Sequence, residues 1–478
     1  MRAALRVSLG LLLLMPYLIW LLWIPVWSWP EISEWLPYFT TALKQAALSA
    51  ALALVCGFFL FLAAQGWTTV RARALSELAL LLPNMVPPLF LVLSLLSWVT
   101  PWAAFPYGLG AVIFAHVLLN AGLVAVSLDR LLHSRAGLMA ETAWVMGASR
   151  TRFWLQVAWP LLRLDVACIF LFVFSLCFTS FSIPLVLGGE HKTTLEVAIY
   201  DILRMEGRWD KAVILAALQS VMLFVMALVL PHAFFPAKPV RRALPFLALK
   251  GWRLIVFVPA AVILGGWLAG LTGTAKAALE PDLPWVDAFL TTLALGLAAG
   301  LLHLILFLVT AYVLPHARLT RFLNGYLAPS SVITAFALLL LPGEGITIAF
   351  AKLVVALTLI SFPLLYRWIV HSALAALGEQ VSVARSLGAD WRMILFEIVW
   401  PQVAGQVLRA CGLAALWAAG DFAVSGVIAG DLNTVPLLME SLLGNYRIET
   451  AQLLMFPLLF AGLGLYGLFV GAARHVVR

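Results

Sequence analysis

Glu141-Thr142-Ala143, Gly147-Ala148 and Trp159-Pro160 are followed, 241 residues on, by Ser382-Val383-Ala384, Gly388-Ala389 and Trp400-Pro401. Every paired Ala, Gly, Trp and Pro keeps that one offset. A repeat of such long period decides the fold before any local pattern does, because it makes the chain two related halves. Other pairs share the offset: Pro88 with Pro329, Gly189 with Gly430, and Thr193 with Thr434. The chain therefore divides into a first repeat at 1–236, a basic linker at 237–250 that continues a proline-containing stretch, and a second repeat at 251–478.

The frame around the repeated segments is apolar. Of 478 residues, 64% are hydrophobic and 11% charged, against roughly 25% charged in soluble domains. Runs such as Leu9–Pro30 and Leu254–Leu271 meet the length of about 20 residues needed to cross a bilayer. The expected fold class is an all-α polytopic membrane protein. Hydropathy places about twelve spans near 8–29, 41–64, 78–99, 106–127, 163–187, 212–232, 252–272, 287–313, 327–342, 346–368, 405–430 and 449–472. The turn signal Pro342-Gly343-Glu344-Gly345 separates the ninth from the tenth. Six spans in each half make the two repeats parallel rather than inverted. The first span is too long for a cleaved leader. It ends in Trp20, Trp23, Trp27 and Trp29, which suit an interfacial belt, and lacks a small-residue cleavage site. Cys56, Cys168, Cys177 and Cys411 lie in apolar stretches without CxxC spacing and read as buried and inert.

The net charge of +8 is topological. Arg2, Arg6, Arg71, Arg73, Arg130, Arg135, Arg150, Arg152, Arg163, Lys238, Arg241, Arg242, Arg318, Arg321, Arg385, Arg392, Arg474 and Arg478 all fall on one side when loops are alternated. The other side carries Glu31, Glu34, Glu280, Asp282 and Glu344, with mixed loops around Lys192–Lys211 and Asp431–Arg447. The positive-inside rule places both termini and both repeated segments in the cytoplasm. A nucleic-acid surface would gather its cations on one exposed domain, which this chain lacks.

Each repeated segment reads as an elbow. Ala140, Ala143 and Gly147 fall at i, i+3 and i+7 on one helix face, as do Val381, Ala384 and Gly388. Small residues admit a close neighbour, and Gly permits a bend. Polar and basic residues follow, at Ser149–Arg152 and Asp390–Arg392. Trp159-Pro160 and Trp400-Pro401 then suit the first turn of a new helix. The competing reading is an ordinary amphipathic helix in the headgroups; two matched copies, both on the basic side, weigh against it.

This pattern resembles the "EAA" loop of permease subunits in ATP-binding-cassette (ABC) importers. In that family the loop is a coupling helix docked on a cytoplasmic ATPase. The resemblance spans essentially the whole chain, counted twice, and implies a fused inner-membrane permease of type I importer architecture. Its implied partners are an ATPase dimer and a periplasmic solute-binding protein. Glu141, Ala143, Gly147, Ala148 and Pro160, with Ala384, Gly388, Ala389 and Pro401, would carry the coupling contact. The loops would extend over about 137–160 and 378–401. Phe178-Thr179-Ser180-Phe181, Thr193-Thr194-Leu195-Glu196-Val197-Ala198-Ile199-Tyr200, Gly420-Asp421-Phe422 and Asn445-Tyr446-Arg447 look most like the fused thiamine and ferric-iron permeases. Two departures stand out. Thr142 replaces the usual Ala. Ser382-Val383 replaces Glu-Ala, with Glu379 three positions earlier, so the two ATPase contacts are expected to be unequal.

No G-x-x-x-x-G-K-[ST] loop occurs, so ATP and magnesium belong to the partner and the chain carries no cofactor or catalytic residue of its own. The histidines show no metal spacing, and His116 and His303 read as hydrogen-bonded packing residues. Asp421 in the eleventh span has Ser180 as its counterpart, with Thr179, Ser182 and Ser425 nearby. These polar groups either line a translocation path, with Asp421 favouring a cation, or pin a gate by hydrogen bonds. Pro83, Pro87 and Pro88, with Pro329, either kink the gating spans or mark their ends. The expected solute is a thiamine-like cation or ferric iron. The alternative is an ion-coupled secondary transporter of two six-span halves. Against it, Gly66–Glu77 lacks the Gly-x-x-x-Asp-Arg-x-Gly-Arg-Arg type of loop usual there.

Overall fold

The computed structural model describes residues 2–24, 28–99, 103–189, 194–229, 244, 247–249, 251–273, 283–313, 323, 330–428, 430, 432–445 and 447–476. Trp27, Thr193, Pro329, Lys238, Arg241, Arg242, Glu280, Asp282, Arg318, Arg321, Asp431, Tyr446 and Arg478 lie outside those residues, as does most of the 237–250 linker. In chain order the helices are α1 (Arg2–Trp23), α2 (Ile32–Ala64), α3 (Val70–Met85), α4 (Pro88–Val99), α5 (Leu109–Arg135), α6 (Gly137–Val145), α7 (Arg150–Phe153), α8 (Trp159–Phe178), α9 (Ser182–Leu187), α10 (Leu195–Arg204), α11 (Trp209–Val229) and α12 (Val258–Gly273). Then come α13 (Trp285–Val313), α14 (Ser331–Leu339), α15 (Ile346–Leu365), α16 (His371–Ala375), α17 (Gly378–Ser386), α18 (Trp391–Met393), α19 (Trp400–Ala419), α20 (Ala423–Ile428), α21 (Val435–Gly444), α22 (Ile448–Leu453) and α23 (Met455–Val476). No strand occurs among the described residues.

Among these residues nine helices are long and apolar enough to cross a bilayer, and α3 with α4 make a tenth candidate, bent by 97°. Twelve spans from hydropathy exceed this number for two physical reasons. Of the ninth, 327–342, the described residues hold the nine-residue α14. The eleventh appears as α19, whose Gln402, Gln406 and Arg409 lower its apolarity. The proline cluster does both things expected of it: Pro83 sits near the end of α3, and Pro88 opens α4 across the bend.

Packing divides the chain differently from the repeat. One compact unit comprises Met1–Leu36, Leu195–Leu228 and Gly273–Arg478; the other comprises Pro37–Thr194 and Val229–Thr272. The first span, α10 and α11 thus pack with the second repeat, and α12 packs with the first. Each unit keeps one elbow.

In the unit built on the second repeat, Phe307, Phe362 and Tyr366 stack in the core, with Phe307 and Phe362 centroids 5.1 Å apart. A Cβ on Gly296 of α13 would stand 2.7 Å from the Ala415 carbonyl oxygen of α19, so those helices approach closely. The helix α1 joins through Leu9 and Leu13, and the Trp20 indole N–H donates to Ile333 O at 3.2 Å. His303 bonds Ala299 O at 2.8 Å and Ser361 Oγ at 2.9 Å, a packing place.

In the other unit, buried Gln45 and His116 bond at 2.6 Å between α2 and α5. There α12 is tied in by the Trp98 indole N–H to Val262 O at 2.7 Å. The four cysteines are free, and Cys56 is exposed, contrary to the expectation. It lies on the outward stripe of α2 with Leu52, Val55 and Phe59, the kind of bare apolar face a bilayer covers.

The tightest crossing in this unit joins α3 and α5, where a Cβ on Gly122 would stand 1.8 Å from the Leu80 carbonyl oxygen. Gly122→Val should therefore force the two helices apart and cost about 1–3 kcal/mol. Thermal unfolding of the purified chain in detergent checks this; an unchanged midpoint would contradict the crossing.

Candidate functional site: the two helical elbows

Both elbows close with the same backbone hydrogen bonds. After α6, Gly147 takes φ +74°. Its N–H donates to Trp144 O at 3.0 Å, and the Ala148 N–H donates to Ala143 O at 2.9 Å. After α17, Gly388 takes φ +81°. Its N–H donates to Arg385 O, and the Ala389 N–H to Ala384 O, both at 3.0 Å. These are the two bonds of a Schellman cap, whose third residue from the helix end and second residue beyond it make an apolar contact. The paired alanines occupy those two places. The recurrent Ala-x-x-x-Gly-Ala is thus the spacing of a helix end. A Cβ on either glycine would meet nothing within 4 Å in this chain. Backbone conformation, rather than room for a close neighbour, calls for glycine here.

The second limb also starts alike in both copies. The Ser149 hydroxyl accepts from the Arg152 N–H at 3.3 Å, and the Asp390 carboxylate from the Arg392 N–H at 3.3 Å. Each limb then widens into a π-helical turn, Trp154–Ala158 or Ile394–Val399, before α8 or α19. Pro160 and Pro401 stand in the first turn of those helices. They cannot donate to a carbonyl one turn back, and the wider turn accommodates the missing bond. Each elbow is therefore continuous with a long helix.

The braces differ. In the first elbow Arg135 forms a two-point ion pair with Asp165 (2.9 and 3.2 Å), fastening the end of α5 to α8. In the second, Gln402 donates to Gln380 at 2.7 Å, joining α19 to α17. There the Arg385 guanidinium also lies 5.0 Å over the Trp391 ring. The first copy carries the same residue types in reverse, Trp144 and Arg150, at the matching positions.

The predicted small-residue face turns inward except at its glycines, Gly147 and Gly388, which are exposed. Ala140, Val381 and Ala384 are buried, and Ala143 and Ala148 are half-buried, like Glu141 and Ala389. Pro160 and Pro401 are exposed. The opposite side is bare and apolar: Val145 is 84%, Met146 80% and Leu387 81% exposed, with Trp144 and Val383 also outside. Sequence reasoning missed these tips, although their position at the helix end next to the conserved-offset glycine was available as a signal.

The polar residues expected in a path or gate fall at two matching helix breaks. Thr179 and Ser180 separate α8 from α9, which Ser182 begins, and Gly420-Asp421-Phe422 separates α19 from α20. Thr179 Oγ1 donates to Ser175 O at 2.9 Å. Asp421 Oδ2 accepts from the Val424 N–H (3.0 Å), the Ser425 N–H (2.9 Å) and Ser425 Oγ (3.2 Å). That carboxylate caps α20, and Ser425 is its fully buried partner.

No protein-family model matches the chain, and no solved structure matches it. It is 27% identical over 462 residues to the thiamine transport system permease protein ThiP of Escherichia coli (strain K12), covering 85% of this chain and 83% of that protein. It is 28% identical over 375 residues to the protein of that name from Brucella abortus (strain 2308), covering 71% and 67%. It is 34% identical to the Haemophilus influenzae protein of that name over 126 residues, covering 26% and 23%. Over most of its length the chain is thus similar to permease proteins of a transport system. The nine long apolar helices among its described residues and the bent pair α3–α4 are those of a multi-pass membrane protein, and these relatives are transport components. The two elbows, one in each compact unit, are built on one backbone plan with different side-chain braces.

The backbone plan has a direct test. A non-glycine residue at positive φ costs roughly 1–2 kcal/mol. Gly147→Ala and Gly388→Ala should each lower stability by about that amount, and Gly147→Asn by less, since Asn tolerates this conformation. Chemical unfolding in mild detergent measures it; equal stability of the three variants and the parent would contradict the closure.

Proposed function

We propose that this permease moves a thiamine-like organic cation across the bacterial inner membrane, driven by a separate ATPase pair that grips the two elbows. The carrying observation is the pair of glycine-closed elbows, each continuous with a long helix and each baring an apolar tip. An exposed apolar knob on a rigid helix end is suited to a groove on a partner. The loop charges favour cytoplasmic termini and elbows, the side on which ATP is available. The thiamine-system names of the relatives favour thiamine over ferric iron.

In this reading a soluble receptor delivers the solute at the opposite face, around Gly188–Tyr200 and Gly430–Tyr446. ATP and magnesium are used by the partner ATPase. Closure of the ATPase draws the elbows together, and α8 and α19, continuous with them, transmit the motion. A switch of this kind requires the ATPase to bind the two permease states with different affinity. Unequal braces and the missing acid at Ser382 give the two elbows unequal contacts.

Vesicles holding the permease, its co-encoded ATPase and its receptor should take up thiamine only with ATP. Met146→Asp combined with Leu387→Asp should lower uptake at least 10-fold while leaving the chain folded. Uptake of ferric iron instead would correct the solute. Thiamine uptake driven by an ion gradient without the ATPase would overturn the reading in favour of a secondary transporter.

A further inference from the structure

The unit containing α1, α10, α11 and α13–α23 holds a carboxylate that neither the elbows nor the helix breaks use. Glu196, the second residue of α10, is fully buried. Its Oε1 accepts from Ser330 Oγ (2.8 Å), the Ser331 N–H (2.9 Å) and Ser331 Oγ (3.0 Å). Ser330 is the N-cap of the nine-residue α14, so this oxygen rests on the positive end of a helix. Its Oε2 is equally buried and has no hydrogen-bond partner. Among the described residues Glu196 enters no ion pair. The group is oriented through one oxygen and left unsatisfied at the other.

The helix α14 that Glu196 meets also joins an aromatic group. The Trp20 indole bonds Ile333 O, two residues past Ser331. Its ring lies 5.3 Å from Trp209, which stands edge-on to Phe336 of α14 at 5.5 Å. Aromatic faces are the chemistry that receives an organic cation. A helix cap needs only a neutral acceptor. An ionisable carboxyl at membrane depth, costly by default, exceeds that need.

We propose that Glu196 selects for positive charge in the transported solute, offering Oε2 to the cation as it passes while Ser330 and Ser331 hold Oε1. This rests on the thiamine reading above. Glutamine at this position keeps the size and the acceptor oxygen of the cap and removes only the charge. Glu196→Gln should therefore unfold at the parent's temperature yet take up thiamine at least 10-fold more slowly in the complete importer, with Glu196→Asp restoring part of the rate. A second measurement needs no variant. Dicyclohexylcarbodiimide, which modifies carboxyl groups in apolar surroundings, should label Glu196 in the intact chain, and thiamine should slow that labelling. Normal uptake by Glu196→Gln, or labelling indifferent to thiamine, in vesicles where the parent transports thiamine, removes the assignment and leaves the thiamine reading intact. No thiamine uptake by the parent removes both.

Discussion

Two backbone hydrogen bonds at each elbow, made possible by a glycine at positive φ, set the direction in which α8 and α19 leave their elbows. The Schellman closure ends one helix and aims the next without a flexible linker. The alanines at either end of the longer bond, Ala143 with Ala148 and Ala384 with Ala389, are small enough to let the turn close. What side chains add afterwards is local bracing, an ion pair in one copy and an amide pair with a cation–π stack in the other. The geometry of the elbows is thus carried by backbone and is common to both, while their bracing is left to side chains and differs between them.

A second constraint comes from the bilayer, where every backbone and polar group must find its partner inside the protein. The chain meets it at several interruptions of a helix among the described residues. Asp421 caps α20, Thr179 bonds back into α8, Thr434 accepts from the Leu437 N–H at α21, and Glu196 with Ser330 serves the start of α14. Broken helices are where non-helical backbone and polar side chains enter an apolar frame.

Much of this was legible in the sequence. The constant offset exposed the repeat, and the spacing of Ala, Gly and Pro located both elbows to the residue. Composition and long apolar runs gave the all-α membrane class. The rest lacked a local signal. An apolar helix does not record which neighbour it will pack against, so the pairing of α1, α10 and α11 with the second repeat, and of α12 with the first, had no sequence signature. The apolar run at 405–430 did not record that α19 ends at Ala419 and that a break at Gly420–Phe422 precedes α20. The exposed tips at Val145, Met146 and Leu387 passed for ordinary apolar positions, because periodicity assigns a face but not whether that face is covered. Glu196 was visible as an acid in an apolar stretch, yet only its contacts with Ser330 and Ser331 set it apart.

The central claim is that the two elbow tips are the places where an ATPase holds this permease. It is tested most directly by replacing the four native cysteines, placing single cysteines at Met146 and Leu387, and cross-linking each to the co-encoded ATPase in native membranes. The account predicts that both positions cross-link to the ATPase and that ATP changes the yield at each. Failure of both to cross-link, while a cysteine elsewhere on the chain does so, would contradict it.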